Sequence, residues 1–273
     1  MAQQIAARNA LAEARALLGA DARVLEPSPP AVTEPPFFAD DPTGGVALDY
    51  SGHHGDEDWL AERWLGNYRR LQPLPAAFAA TRVRLHHLAE HELAPARQAA
   101  NGKIGLRWTL GGFGTPFFGA DEQLRVEHGA LVRQRGEQAT REEVADGVEV
   151  AAATALGEYF GFATSVLEAL RAANLALDAS RVQLWPEHFD VSVELGSEAA
   201  GRRAGYGASP GDEEHAEPYL YVVPWGELPA GPRWQAQGFD GAELTYTELL
   251  AAADQRVAAL EFLQGCLEDL QAR

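Results

Sequence analysis

The stretch from Arg181 to Trp225 constrains the fold most, because two strand-like runs flank a glycine-rich segment dense in polar groups. In an extended strand, successive side chains point to opposite faces. Phe189, Val191, Val193 and Leu195 then share one face, and His188, Asp190, Ser192 and Glu194 the other. That is the pattern of an antiparallel strand covered on one side. The second run sets Glu217, Tyr219, Tyr221 and Val223 against Pro218, Leu220, Val222 and Pro224, so both of its faces are at least partly covered. Between the runs, Gly196, Gly201, Gly205, Gly207 and Ser209-Pro210-Gly211-Asp212 carry turn chemistry. A hairpin with a long ordered loop is the simplest expectation. Its pairing gathers His188, Asp190, Glu217, Tyr219 and Tyr221 on one sheet face, with Asp212, Glu213, Glu214 and His215 at the rim.

Carboxylates and imidazoles gathered in this way suit a divalent cation or a polar small molecule. The candidate ligand-binding residues are therefore His188, Asp190, Asp212, Glu217, Tyr219 and Tyr221. The cofactor stays open, with zinc or another divalent metal among the candidates. The competing reading is a solvated strand face beside an acidic surface turn.

With 273 residues the chain can bury a full core without disulfides or metal. Its 40 acidic and 22 basic residues give a net charge of −18, which argues against nucleic acid or an anionic membrane surface as partner. The one cysteine, Cys266, excludes an intrachain disulfide and a thiolate zinc cluster, and fits a reducing compartment. The amino terminus has no basic region followed by a long apolar core, and no apolar run reaches the roughly 18 residues of a membrane span. The expectation is a soluble cytoplasmic protein.

Residues 3–19 read as an Ala-rich helix, and residues 26–55 as a Pro/Gly-rich surface arm. Asp56 caps a helix running to about Leu71. Phe78 to Ala100 is another, ended by Asn101-Gly102. The helix over 146–173 has a core-facing stripe of Leu156, Phe160, Ala163, Leu167 and Leu170, while Gly157 and Gly161 admit a close neighbour. Thr245-x-x-Glu248 is a capping box that starts a last helix, with Val257, Leu260, Leu263, Leu267 and Leu270 facing the core or a second copy of the chain. Homo-oligomerisation through this C-terminal helix is the expected protein contact. Strands near 104–118, 122–134, 182–195 and 217–224 complete the prediction: a single α+β domain, its antiparallel sheet of at least four strands packed by several helices.

One motif carries sharper chemistry. His87-Leu88-Ala89-Glu90-His91 resembles the His-x-x-Glu-His signature of inverzincin metallopeptidases. That resemblance implies zinc held by His87 and His91, Glu90 as general base on a metal-bound water, and a downstream glutamate as third ligand, for which Glu168 is the candidate. The alternative is an ordinary histidine-bearing helix with Glu90 in solvent. As a whole the chain resembles a group of uncharacterised hypothetical proteins from GC-rich bacteria. The likeness is carried by NGKIGLRWTLGGFGTPFFG at 101–119, LWPEHFD at 184–190 and YGASPGDEEHAEPYLYVVPW at 206–225. It implies a single family and no mechanism. Three classes stay open: a small-ligand or metal-binding protein using residues 181–225, a zinc-dependent hydrolase, and a non-enzymatic interaction module.

Overall fold

A computed structural model describes residues 70–119, 121–136, 138–144 and 147–273. The helix expected over 3–19, the arm over 26–55 and nearly all of the helix over 56–71 lie outside these residues. Within them, the expected α+β fold takes the form of two antiparallel five-stranded sheets, each a meander in which strands pair with their sequence neighbours. The first comprises β1 (Arg107–Thr109), β2 (Gly112–Gly114), β3 (Glu122–Glu127), β4 (Ala130–Arg135) and β5 (Gln138–Glu143). The second comprises β6 (Gln183–Trp185), β7 (Asp190–Leu195), β8 (Ala204–Ser209), β9 (Tyr219–Pro224) and β10 (Ala242–Thr245). They meet edge to edge where Leu106 and Leu184 exchange backbone hydrogen bonds of 2.7 and 2.9 Å.

Each expected strand over 104–118, 122–134 and 182–195 is in fact a pair, because a tight turn interrupts it. Leu110-Gly111 turns between β1 and β2, and His128-Gly129 between β3 and β4, both His128 and Gly129 having positive φ. Residues 186–189 turn between β6 and β7. The expected hairpin of 182–195 with 217–224 is corrected too: β8 lies between them and pairs with both. Gly205 and Gly207 are thus strand residues, not loop.

Helices bind the sheets into one core. α1 (Phe78–Leu88) passes through a wide π turn at Ala89–Leu93 into α2 (Ala94–Asn101), and Gly102 at φ 77° ends it. Pro95 has no N–H to offer the carbonyl one turn back, which accounts for the widening just ahead of it. α3 (Val150–Ala173) runs under both sheets, touching β1 and β2 of the first and β7 and β8 of the second. Phe160, Phe162, Val166 and Leu167 on it are fully buried; each contributes about 1.5–3 kcal/mol by leaving water. Gly157 admits the first sheet: a Cβ there would meet the Gly112 nitrogen at 2.8 Å, and Trp108 Nε1 donates to the Gly157 carbonyl at 3.1 Å. By length and composition α3 can cross a membrane, and its most apolar window is 72% buried within the fold.

The last helix is two. α4 (Tyr246–Ala251) has the expected Thr245/Glu248 capping box, and α5 (Gln255–Gln271) starts afresh at Asp254, whose carboxylate accepts from the Arg256 and Val257 amides. Leu263, Leu267 and Leu270 face the core with Cys266, whereas Val257, expected in the same stripe, is exposed. Gln255 closes the fold by hydrogen bonding both backbone groups of Leu71.

Candidate functional site

The sequence of β8 determines the shape of the outer face of the second sheet. Ala204, Tyr206 and Ala208 point into the core, leaving Gly205, Gly207 and Ser209 outward. The neighbouring strands present Asp190, Ser192 and Glu194 from β7, and Tyr219, Tyr221 and Val223 from β9. A central strand without side chains between two that have them makes a groove. It measures about 1000 Å³ and is extended by Trp185, Trp225 and Phe239.

Tyr221 lies flat across this floor. An added Cβ on Gly207 would collide with its Cζ and hydroxyl, and that hydroxyl donates to Asp190 Oδ2. Asp190 is 5% exposed, and its other oxygen, Oδ1, accepts no hydrogen bond from another side chain or strand among the described residues. A buried acceptor without a donor costs about 1–3 kcal/mol. Burial pushes the Asp190 carboxyl above its ordinary pKa, against the hydrogen bond from Tyr221 and the charge of His188. Burial likewise raises Tyr221 well above the ordinary tyrosine value, and the charge of Asp190 adds to the rise.

At the rim, Asp212 is a hub. Its Oδ1 accepts from the amides of Glu214 and His215, both at 2.8 Å, and faces His215 Nδ1 at 3.1 Å; its Oδ2 accepts from the Tyr219 hydroxyl at 2.7 Å. Burial pushes this carboxyl up, but the hydrogen bonds from Tyr219 and His215 outweigh it and hold the pKa below the usual range. His215 also faces Glu243 at 3.2 Å and packs its ring 4.2 Å from that of Tyr219, which in turn lies 6.0 Å from Phe239. From beneath, Arg82 donates to the Asp212 carbonyl at 3.1 Å, and Tyr159 on α3 donates to the Tyr219 carbonyl at 2.8 Å. The loop and strand that carry the groove are therefore fixed to the core helices.

Of the six sequence candidates, His188, Asp190, Asp212, Tyr219 and Tyr221 line the groove. Glu217 does not, because its carboxylate accepts from Thr247 at 3.0 Å outside it. His188 is not on a strand with Asp190; it sits in the turn, as does Pro186. Phe189 between them has φ 55°, which drives its ring into the core against His86, Phe113 and Phe160. Trp185, Trp225 and Phe239 are not among the sequence candidates, although the period-two series Gly205, Gly207, Ser209 marks the floor they flank.

The proposed zinc ligands are not brought together. His87 and His91 stack with centroids 4.1 Å apart on the exposed side of the α1 and π-turn segment. Glu168 is buried, 3.1 Å from Arg171 one turn along α3, in the small cavity at the sheet junction. A buried carboxylate requires such a counter-charge. His87 lines a different hollow with Arg84, Glu92 and Arg133. Among the described residues, no group of three His, Cys, Asp or Glu is placed to hold a metal ion. Comparison of the chain with protein-family models, with curated proteins and with solved structures finds no match.

Proposed function

We propose that the protein binds a small polar molecule in the groove on the outer face of its second sheet. The supporting observation is the glycine floor of β8, set between the polar side of β7 and the tyrosines of β9. Strand interiors disfavour glycine; of the two at outward positions of this central strand, Gly207 makes room for the Tyr221 ring to lie in the floor and Gly205 leaves the space above it open. The volume lies at the upper end for small-molecule sites, and aromatic walls with a few fixed polar groups are their usual lining.

Chemical-shift mapping on the full chain, with fragments spanning cationic, neutral and anionic aromatics, tests the reading. The largest shifts are expected at the amides of Asp190, Gly207 and Tyr221. Gly205→Leu should abolish them, since an added Cβ there meets only the Val223 carbonyl at 4.0 Å and so fills the groove without disturbing the strand. Fragment binding confined to other surfaces would overturn it.

A further inference from the structure

The charge of the ligand can be read from the same groove, on the binding reading above. Glu187, Asp190, Glu213 and Glu214 line it, and no arginine or lysine among the described residues pairs with any of them. Glu194 at the far end shows the contrast. Arg203 holds it at 2.9 Å, and that guanidinium also lies over the Trp225 ring, 5.2 Å from its centroid. One end of the groove thus already pairs a cation with a carboxylate and an aromatic face, using the protein's own side chain.

At the other end the carboxylate and the rings are present without a guanidinium, the imidazole of His188 being the basic group that acts on Asp190. Asp190 is the anchor: nine-tenths buried, lining the groove, one oxygen bonded to Tyr221 and the other without a donor from another side chain or strand among the described residues. An ammonium or guanidinium N–H supplies that oxygen with both a donor and a compensating charge. The rings of Tyr219, Tyr221 and Phe239, mutually 6.0 to 6.4 Å apart, offer faces and edges to an apolar body, and ring faces attract cations. A neutral sugar would use the rings but leave the carboxylates unbalanced. An anion would be repelled by them.

We propose that the groove binds a small organic cation, an ammonium or guanidinium group on a flat apolar body, with its N–H groups at the Asp190 carboxylate and its body among Tyr219, Tyr221 and Phe239. The protein's net charge of −18 favours the approach of such a ligand.

Three probes of one shape separate charge from fit: benzamidine, benzamide and benzoate, titrated calorimetrically into the full chain. Benzamidine is expected to bind about tenfold or more tightly than benzamide, the scale of one charge-assisted hydrogen bond, with benzoate weakest. Added salt should weaken benzamidine and leave benzamide unchanged. In Asp190→Asn, with its fold checked by melting, the preference for benzamidine should shrink to about threefold or less. Phe239→Ala, which removes one wall of the aromatic cluster, should weaken binding of all three. Benzamide or benzoate binding in the groove as tightly as benzamidine would overturn the cation assignment and leave the ligand-site reading standing. Binding by none of the probes, with no fragment of any charge mapping to the groove, would overturn both.

Discussion

The Tyr221 hydroxyl donates to Asp190 from across Gly207, because the missing side chain of that glycine is the space the tyrosine ring occupies. Gly207→Ala puts a methyl group onto the Cζ and hydroxyl of Tyr221. The ring must leave or the strand must shift, and overpacking of this kind costs about 1–3 kcal/mol. Thermal melts should show that loss, together with a changed tyrosine signal in near-ultraviolet circular dichroism. A wild-type melting temperature with an unchanged spectrum would show that the ring does not rest on Gly207.

Two carboxylates of the same groove should respond to pH with opposite signs. Asp190 has its pKa raised by burial, so the native chain holds that proton more tightly than the unfolded chain. Its contribution to stability is greatest below the unfolded value of about 4 and is lost as pH rises through the higher native value. Asp212 is lowered, its hydrogen bonds outweighing burial; its contribution is present above about 4 and is lost as pH falls through the native value. Asp190→Asn should therefore match or exceed the wild type in urea midpoint at neutral pH, and lose that advantage towards about pH 4. Subtracting wild-type midpoints from those of the variant cancels the other carboxylates. A variant less stable than wild type at neutral pH would show that the charged form of Asp190 is the stabilised one.

Phe189 inverts an ordinary order of substitutions. Its ring is 1% exposed and packs edge-on to Phe113 and Phe160, so Phe189→Ala should cost about 3–5 kcal/mol. Its φ of 55° is left-handed, a region that costs a residue with a Cβ about 1–2 kcal/mol and glycine nothing comparable. Phe189→Gly should accordingly be about 1 kcal/mol more stable than Phe189→Ala, although it removes one more carbon. Denaturant unfolding of the two variants measures the difference directly, and an alanine variant more stable than the glycine variant would refute the strain.

Much of the site could be read in the sequence, because alternation with period two is a local property. Val191, Val193 and Leu195 face inward whatever strand lies beside them, and that fixes Asp190 outward. The location of β8 was not legible in the same way. Glycine is poor in strands, so Gly205 and Gly207 read as turn; Tyr206 and Ala208 make a strand of the segment only by packing into a core contributed from far along the chain. Burial likewise decided Glu168, a zinc ligand only by the resemblance to metallopeptidases, which the fold encloses and pairs with Arg171 one turn along α3. Glu217 kept the phase of Tyr219 and Tyr221 but lies beyond the end of β9, where the chain no longer holds it to the groove.

Asp212 moors the loop that closes one end of the groove, and its two oxygens do different work. Oδ1 gathers the Glu214 and His215 amides, which fixes the turn, while Oδ2 takes the Tyr219 hydroxyl, which ties the turn to β9. Asparagine keeps a carbonyl oxygen for the amides, and its NH2 can donate to Tyr219 once that hydroxyl rotates to accept. Alanine keeps neither. Asp212→Ala should lose about 1–3 kcal/mol, several times the loss in Asp212→Asn, because it leaves backbone donors and a tyrosine hydroxyl without their partner. The loss should be local before it is global. Hydrogen exchange at the Glu214 and His215 amides is expected to speed up in the alanine variant, with the β7 and β8 amides unchanged. Benzamidine binding should weaken as Tyr219 loses its fixed position. If both loop amides kept wild-type protection in Asp212→Ala, the turn would be held by the Asp212 amide to the His215 carbonyl and by Arg82 from below, and the carboxylate would not be its mooring.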